Sequence, residues 1–199
     1  MTRHLSLVGT VLLVAALGAM LAAVPAEAQP GAAGGEWRAY AADAFSSKYS
    51  PLDQITAANF GDLEVAWRWR TADTHLVVEG EHGASVVAAQ TLFDRLEAEE
   101  PDLWVTRPGP GRLVATPLMV GGVLYLSTPL YQAAAIDAGT GETFWVHDPK
   151  IYEAGTPAPA PWAHRGVGYW ESGDEARIVW GTGDGFLVAV DAKTGLPAD

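Results

Sequence analysis

Near the end of the chain, residues 181–185 read GTGDG, with three glycines at alternate positions and one acid. This composition would suit either a phosphate-binding loop or an acidic loop for a cation. A phosphate-binding loop needs a helix after its glycines, so that the helix N-terminus faces the anion. Here the strand-like FLVAV of residues 186–190 follows, so we predict that 183–185 is a β-hairpin turn. Asp184 alone offers too few ligands for Ca²⁺, which takes six or more oxygens.

A second candidate for chemistry is the group His75, Glu79, Glu81 and His82. These residue types ligate metals, but nothing in their spacing fixes a geometry. A metal site needs a defined number of ligands at a defined spacing. We therefore favour a solvated loop over a metal site, and no metal ligand is assigned within the chain.

Composition excludes several other kinds of site. The 199 residues contain no cysteine, so a disulfide, a thiolate metal site and a CxxCH haem attachment are all ruled out. The formal net charge is −12. Because no basic face is available to release counterions, nucleic acid is not expected as a partner.

The N-terminus has the features of a secretory signal at residues 1–28. Arg3 precedes an apolar run at 5–24, and Ala26-Glu27-Ala28 forms a small-x-small cleavage site. The alternative is a retained membrane span, since the run approaches the ~20 residues that a span needs. The cleavage site favours removal, so we expect a mature chain outside the cytoplasm with a flexible lead-in at 29–35 and no retained span.

Short apolar runs broken by turn residues predict an all-β fold from residue 36 onward. Residues 63–70 (LEVAWRWR) alternate, with Trp67 and Trp69 on one side, which indicates a half-buried strand rather than a surface that stacks on bases or sugars. Gly121-Gly122 stands between two β-rich runs and predicts a two-residue hairpin. Further strands are expected at 113–120, 123–128, 133–137, 178–182 and 186–191.

One segment departs from the strand pattern. Between residues 84 and 100 the apolar residues fall at helical spacing before Pro101. We predict a short amphipathic helix there, inside an insertion that spans 72–112.

A repeat is the strongest signal in the sequence. Residues 135–141 (AIDAGTG) recur at 189–195 (AVDAKTG), and Trp145 follows the first copy. A period of 54 residues with several short strands per unit is typical of propeller blades. The Asp and Thr can hydrogen-bond the backbone of the turn, and the last Gly permits positive φ, so the motif is structural.

The pattern A-x-D-A-x-T-G-x-x-x-W resembles the tryptophan-docking repeat of the quinoprotein dehydrogenases, which use pyrroloquinoline quinone (PQQ). The resemblance covers most of residues 36–198 outside the insertion. It implies an eight-bladed β-propeller with PQQ near its axis, usually beside Ca²⁺, and hydride transfer from an alcohol or sugar to the quinone. The other similar stretches are 36–37, 49–55, 63–67, 115–118, 124–129 and the RG-x-x-YW element at 165–170.

Arg165 of the RG-x-x-YW element is the one site residue that the resemblance assigns, as a cofactor-binding residue beside the quinone. Its guanidinium suits the carboxylates and quinone oxygens of PQQ. The alternative is an ion pair with Glu171 or Asp174. Two departures from the family pattern are Val114, where many members carry a Glu that contacts the cofactor, and the absence of the adjacent cysteines of alcohol-oxidising relatives. The missing cysteines argue against the methanol-dehydrogenase-like branch, and the stretches LYLSTP (124–129) and AIDAGTGETFWVHDPK (135–150) are closer to the glucose- and quinate-type branch.

The chain is long enough for two to three blades, so we expect it to be the N-terminal part of a longer periplasmic enzyme. The resemblance then places the catalytic Asp and most ligands of PQQ and Ca²⁺ downstream of residue 199. It implies a sugar or alcohol substrate and a respiratory electron acceptor, either a quinone or a cytochrome. The alternative is a non-catalytic propeller of the same repeat type that acts as a scaffold in outer-membrane protein assembly.

Overall fold

Nine β-strands and one α-helix are the main regular elements of the described residues. The structure, a computed structural model, describes residues 32–43, 45–81, 83–109, 111–157 and 162–198. The predicted signal at 1–28 lies outside these ranges, as do His82 and the first residues of the lead-in. Within them, no helix is long and apolar enough to cross a membrane.

A four-stranded antiparallel sheet follows the insertion, with its strands in chain order. The predicted Gly121-Gly122 hairpin is confirmed, since Val120 pairs with Val123 across it. Both glycines have positive φ, 57° and 82°, as a tight hairpin turn requires. The strands are β3 (Leu118–Val120), β4 (Val123–Ser127), β5 (Ala133–Asp137) and β6 (Thr143–His147).

A three-stranded antiparallel sheet comes next, again in chain order. The predicted hairpin around residues 183–185 is confirmed, because Thr182 N donates to Phe186 O at 2.8 Å and Gly185 turns the chain at φ 97°. The glycine-rich stretch is therefore a turn between strands. The strands are β7 (Gly168–Ser172), β8 (Glu175–Gly181) and β9 (Leu187–Asp191).

The two sheets pack against each other through one apolar core. Ala133 of β5, Ile178 of β8 and Val190 of β9 are fully buried there. Burying an Ile or Val side chain contributes roughly 1.5–3 kcal/mol. Tyr125 adds a link between the sheets, because its hydroxyl donates to Ala192 O at 3.2 Å.

Both copies of the repeated motif fold into the same turn. Asp137 Oδ1 accepts hydrogen bonds from the backbone N–H groups of Gly139 and Thr140 and from the Thr140 hydroxyl, at 2.7–3.0 Å. Asp191 Oδ1 does the same for Lys193 and Thr194, at 2.8–3.1 Å. These bonds hold the pKa of both carboxyls below their ordinary value. The structural role predicted for the Asp and Thr is confirmed.

A tryptophan docks on the last glycine of each copy. The Trp145 indole donates to Ala192 O at 3.0 Å and covers Gly195, where a Cβ would stand 2.6 Å from the ring. Trp67 repeats the arrangement one unit earlier, since it donates to Ala138 O at 3.1 Å and covers Gly141. The chain therefore carries two docked tryptophans over two copies of the turn.

The segment that contains Trp67 is not the predicted strand. Residues 63–70 have no ladder partner within the described residues. The alternation correctly indicates which side is buried, because Trp67 and Trp69 pack against β4 and β5 and Trp69 donates to Thr143 Oγ1 at 2.9 Å. Alternation in the sequence indicates which side chains share one face of an extended chain. A β-strand also needs a second backbone segment that pairs with its N–H and C=O groups.

The predicted strand at 113–120 is also shorter in the structure, where only β3 is regular. Thr116 N donates to Arg165 O instead of to a sheet neighbour, at 3.0 Å. Pro117 has no N–H to donate, which also prevents a continuous ladder here.

The segment predicted as a helical insertion contains a hairpin followed by a helix. The strands are β1 (His75–Gly80) and β2 (Gly83–Ala88), and the helix is α1 (Ala89–Glu99). The helix predicted over 84–100 therefore begins later than expected, because the β-branched Val86 and Val87 pair with β1. Phe93 of α1 packs edge-on against Trp104 and Tyr152.

Asp73 lies buried just before β1. Its Oδ2 accepts a hydrogen bond from Leu130 N at 3.4 Å, and its Oδ1 is buried without a hydrogen-bond partner among the described residues. Burial raises the pKa of this carboxyl to about 6, and the negative charge of Asp148 acts in the same direction. The carboxyl links the insertion to the loop that joins β4 and β5.

Candidate functional site

Arg165 stands in a short extended segment between the two sheets. Its carbonyl oxygen accepts a hydrogen bond from Thr116 N at 3.0 Å. Gly166 follows at φ 147°, and a Cβ there would lie 3.2 Å from Thr116 O. The glycine is thus required for the close approach of the two backbones, and this approach fixes the position of the Arg165 backbone.

The Arg165 side chain is exposed and makes no ion pair within 4 Å among the described residues. The acids that the sequence offered as alternative partners do not hold it. Glu171 binds Arg38 instead, through two hydrogen bonds of 2.6 and 2.9 Å. Asp174 is exposed and forms no ion pair within the same ranges. The N–H donors of the Arg165 guanidinium are therefore not occupied by either of these acids.

The Arg38–Glu171 pair is part of a small network on β7. Tyr169 donates its hydroxyl to Glu171 Oε2 at 2.9 Å, and the Arg38 guanidinium lies 5.1 Å from the centre of the Tyr169 ring. The hydrogen bonds from Arg38 hold the pKa of Glu171 below its ordinary value, and the bond from Tyr169 adds to this. Because its groups satisfy one another at an exposed position, we interpret the network as structural.

His164 directly precedes Arg165 and is partly buried between the sheets. Its Nδ1 lies 2.6 Å from Ser127 Oγ and its Nε2 lies 2.9 Å from Gly181 O. The ring packs against Tyr131, with ring centres 5.0 Å apart. Burial lowers the pKa of the imidazole, so the neutral form is favoured at neutral pH. No sequence pattern marks His164 as a functional residue, and only its position next to Arg165 draws attention to it.

Within the described part of the chain, the other sequence candidates for chemistry are not brought together. His75, Glu79 and Glu81 are exposed, the first two on β1 and the third in the hairpin turn, rather than in the loop that we expected. The described residues contain no group of three or more His, Cys, Asp or Glu that could hold a metal ion. Asp184 accepts a hydrogen bond from the Thr182 hydroxyl within its own turn.

The arrangement around Arg165 can bind an anionic or carbonyl-bearing group. A guanidinium is always charged and offers planar paired donors to carboxylates and similar oxygens. Val114, two residues before Thr116, is 38% exposed and presents no carboxylate to this surface. Val114 therefore adds no negative charge to the stretch that adjoins Arg165.

Comparison with known proteins decides the family. The model of the PQQ family, described as the glucose/ethanol/alcohol dehydrogenase β-propeller domain, matches residues 37–199. The chain belongs to this PQQ-dependent dehydrogenase family. The resemblance noted in the sequence is thereby confirmed, and with it the β-propeller class, to which the two antiparallel sheets belong.

Individual relatives agree with this assignment. The dehydrogenase subunit of a quinone-linked alcohol dehydrogenase from Acetobacter aceti is 32% identical over 172 residues, which are 82% of this chain. The quinoprotein glucose dehydrogenase of Escherichia coli is 29% identical over 187 residues, or 87% of the chain. The crystal structure of the quinohemoprotein alcohol dehydrogenase from Comamonas testosteroni matches 82% of the chain with a TM-score of 0.56 and 28% identity.

The chain spans only a small part of each relative's length. It covers 18% of the Acetobacter protein, 19% of the Escherichia protein and 19% of the Comamonas structure. Family membership therefore rests on the propeller region that is shared. The activity, substrate and partners of the whole protein are treated as proposals.

Proposed function

We propose that the protein is a periplasmic PQQ-dependent dehydrogenase that oxidises a sugar or an alcohol at a CH–OH group. Electrons then pass to a respiratory acceptor, either a quinone or a cytochrome. Support comes from the family membership and from relatives named as alcohol and glucose dehydrogenases. The single observation that carries the proposal within this chain is the exposed guanidinium of Arg165, which is fixed at its backbone and unpaired at its side chain within the described residues.

Arg165 fits one part of the cofactor's chemistry. PQQ carries several carboxylates and two quinone oxygens, and the Arg165 guanidinium can donate to either kind of oxygen. When bound, PQQ supplies the quinone that accepts the hydride removed from the substrate. The role of this segment is to bind and orient the cofactor through Arg165, whose backbone Thr116 and Gly166 hold in place.

The remaining groups of the reaction are expected outside this stretch. In the family the general base is an Asp near the propeller axis, and Ca²⁺ usually lies beside the quinone. We place both in the larger part of the relatives' length that this chain does not span. The secretory signal predicted at 1–28 supports a location in the periplasm.

The activity is tested with the product of the complete reading frame, supplied with PQQ, Ca²⁺ and an artificial electron-accepting dye. We expect dye reduction with glucose, with ethanol or with 1-butanol, and none when PQQ is omitted. Comparing the three substrates assigns the sugar or the alcohol. If PQQ binds but no substrate reduces the dye, the dehydrogenase proposal is wrong and the scaffold alternative gains support.

A further inference from the structure

The imidazole of His164 joins the ends of two strands from different sheets. Ser127, which contacts Nδ1, is the last residue of β4, and Gly181, which contacts Nε2, is the last residue of β8. Tyr131, from the loop between β4 and β5, packs against the ring face. One side chain therefore ties both sheets to the segment that carries Arg165.

The groups around His164 select one tautomer of its neutral imidazole ring. The carbonyl of Gly181 can only accept, so Nε2 must carry the hydrogen. Nδ1 then faces two donors, the fully buried hydroxyl of Ser127 at 2.6 Å and the N–H of Gly166 at 3.4 Å. Hydrogen bonds on both sides of the ring leave His164 little freedom to turn.

Apart from His164, few contacts hold the backbone and the side chain of Arg165 in place. Its backbone is held by Thr116 on one side, and its side chain has no ion pair among the described residues that would orient it. A long, unpaired side chain keeps most of its rotamer freedom, so the backbone on either side fixes only the position from which the guanidinium can reach a ligand. His164 supplies that support on the N-terminal side, and through the Gly166 N–H it also contacts the C-terminal side.

We propose that His164 is a positioning residue for Arg165, which fixes the segment 164–166 against both sheets so that the guanidinium reaches PQQ from one backbone position. The proposal rests on the proposed cofactor role of Arg165. Groups that hold a ligand-binding residue in place influence affinity without touching the ligand, because they reduce the freedom lost on binding.

The first test is His164→Leu, which removes the ring's hydrogen bonds to Ser127, Gly166 and Gly181 and leaves an apolar side chain in its place. We expect the affinity of the complete reading frame's product for PQQ, measured by equilibrium titration, to weaken about three- to tenfold, the range that one net hydrogen bond provides. In an Arg165→Ala background the same substitution should cause no further weakening, since His164 acts through Arg165.

His147 offers a matched control. Its Nδ1 also contacts a backbone carbonyl, that of Gly195 at 3.0 Å, and its ring packs edge-on against Trp180 at 5.7 Å. It does not adjoin Arg165. His147→Leu should lower the melting temperature in the same way as His164→Leu but leave PQQ affinity at the wild-type value.

Two conservative variants keep the test usable if the Leu variant does not fold. His164→Asn retains an acceptor near the Nδ1 position, and His164→Gln retains a donor near the Nε2 position. Each preserves one of the two anchors, so both should bind PQQ with an affinity between those of wild type and His164→Leu. NMR of labelled histidine should also show a neutral Nε2–H ring for His164 at pH 7.

The outcomes separate the two proposals. If Arg165→Ala weakens PQQ binding but the His164 variants do not, His164 has no positioning role and the role of Arg165 stands. If the effects of His164→Leu and Arg165→Ala add in the double variant, His164 acts independently of Arg165 and the inference is wrong. An imidazolium or an Nδ1–H ring at pH 7 would also overturn it. If Arg165→Ala itself has no effect, the cofactor role of Arg165 fails first.

Discussion

At the scale of single residues, the structure separates the glycines that are needed for space from those that are needed only for backbone conformation. Gly141 has φ 77°, and a Cβ there would lie 2.7 Å from the Trp67 ring. Gly173, in the turn between β7 and β8, has φ 59°, and a Cβ there would have no other atom within 4 Å. The two positions share the left-handed conformation but differ in crowding.

We therefore expect Gly141→Ala to destabilise the protein more than Gly173→Ala. The left-handed conformation costs an Ala roughly 1–2 kcal/mol at either site. Displacing the docked indole at Gly141 should add about 1–3 kcal/mol. Urea unfolding of the two variants measures the difference. Equal free energies of unfolding would show that the tryptophan does not press on the glycine.

Residue-scale chemistry was only partly predictable from sequence. The hydrogen bonds of Asp137 were expected, because an Asp two or three residues before its donors forms a local turn whatever the surroundings. The absence of an ion pair at Arg165 within the described residues could not be predicted. Glu171 lies close to Arg165 in sequence but binds Arg38, and Arg38 and Glu171 are 133 positions apart. His164 was missed for the same reason, since both its ring contacts depend on how the two sheets pack.

At the scale of elements, the β3–β4 and β8–β9 hairpins were predicted, whereas the β1–β2 and β7–β8 hairpins were not. Gly121-Gly122 specifies its turn locally, so β3 and β4 follow directly from the sequence. Residues 63–70 have a strand-like alternation but no backbone ladder partner within the described ranges, so no strand forms there. The beginning of α1 was misplaced because apolar residues at 84–88 satisfy both a strand and a helix period, and pairing with β1 decided between them.

The buried carboxyl of Asp73 makes the attachment of the insertion sensitive to pH. Its pKa is raised by burial from 3.8 to about 6, so the folded protein favours the protonated acid. The stability gained from this preference is complete below the unfolded pKa and is lost as the pH rises through about 6. Around and above neutral pH, the folded state must accommodate a buried carboxylate.

Asp73→Asn removes the charge while keeping a similar shape. We expect the free energy of unfolding of wild type, relative to this variant, to fall by roughly 2–3 kcal/mol between pH 4 and pH 8. Denaturant unfolding across that range measures the difference. A constant difference at every pH would mean that Asp73 titrates normally and is not buried as the structure shows.

At the scale of the whole molecule, the propeller architecture was predicted mainly from the repeat of residues 135–141 at 189–195. Two copies of one turn, each covered by a tryptophan, build adjacent antiparallel sheets and identify a propeller without any reference to a ligand. The cofactor is a different matter, because its one proposed contact in this chain is the exposed guanidinium of Arg165, and the described residues contain no cluster that could hold a metal. Sequence reasoning could reach Arg165 only through family resemblance.

The role of Arg165 is the claim on which the proposed function rests within this chain. Equilibrium titration of PQQ, in buffer with Ca²⁺, onto wild type and Arg165→Ala tests it most directly. Arg95, an exposed arginine on α1 without an ion pair in the described residues, provides the control variant Arg95→Ala. We expect Arg165→Ala to bind PQQ about 10- to 100-fold more weakly, as the loss of hydrogen bonds to a charged group predicts, and Arg95→Ala to bind like wild type. Equal affinities for all three proteins would contradict the assignment of Arg165 to the cofactor.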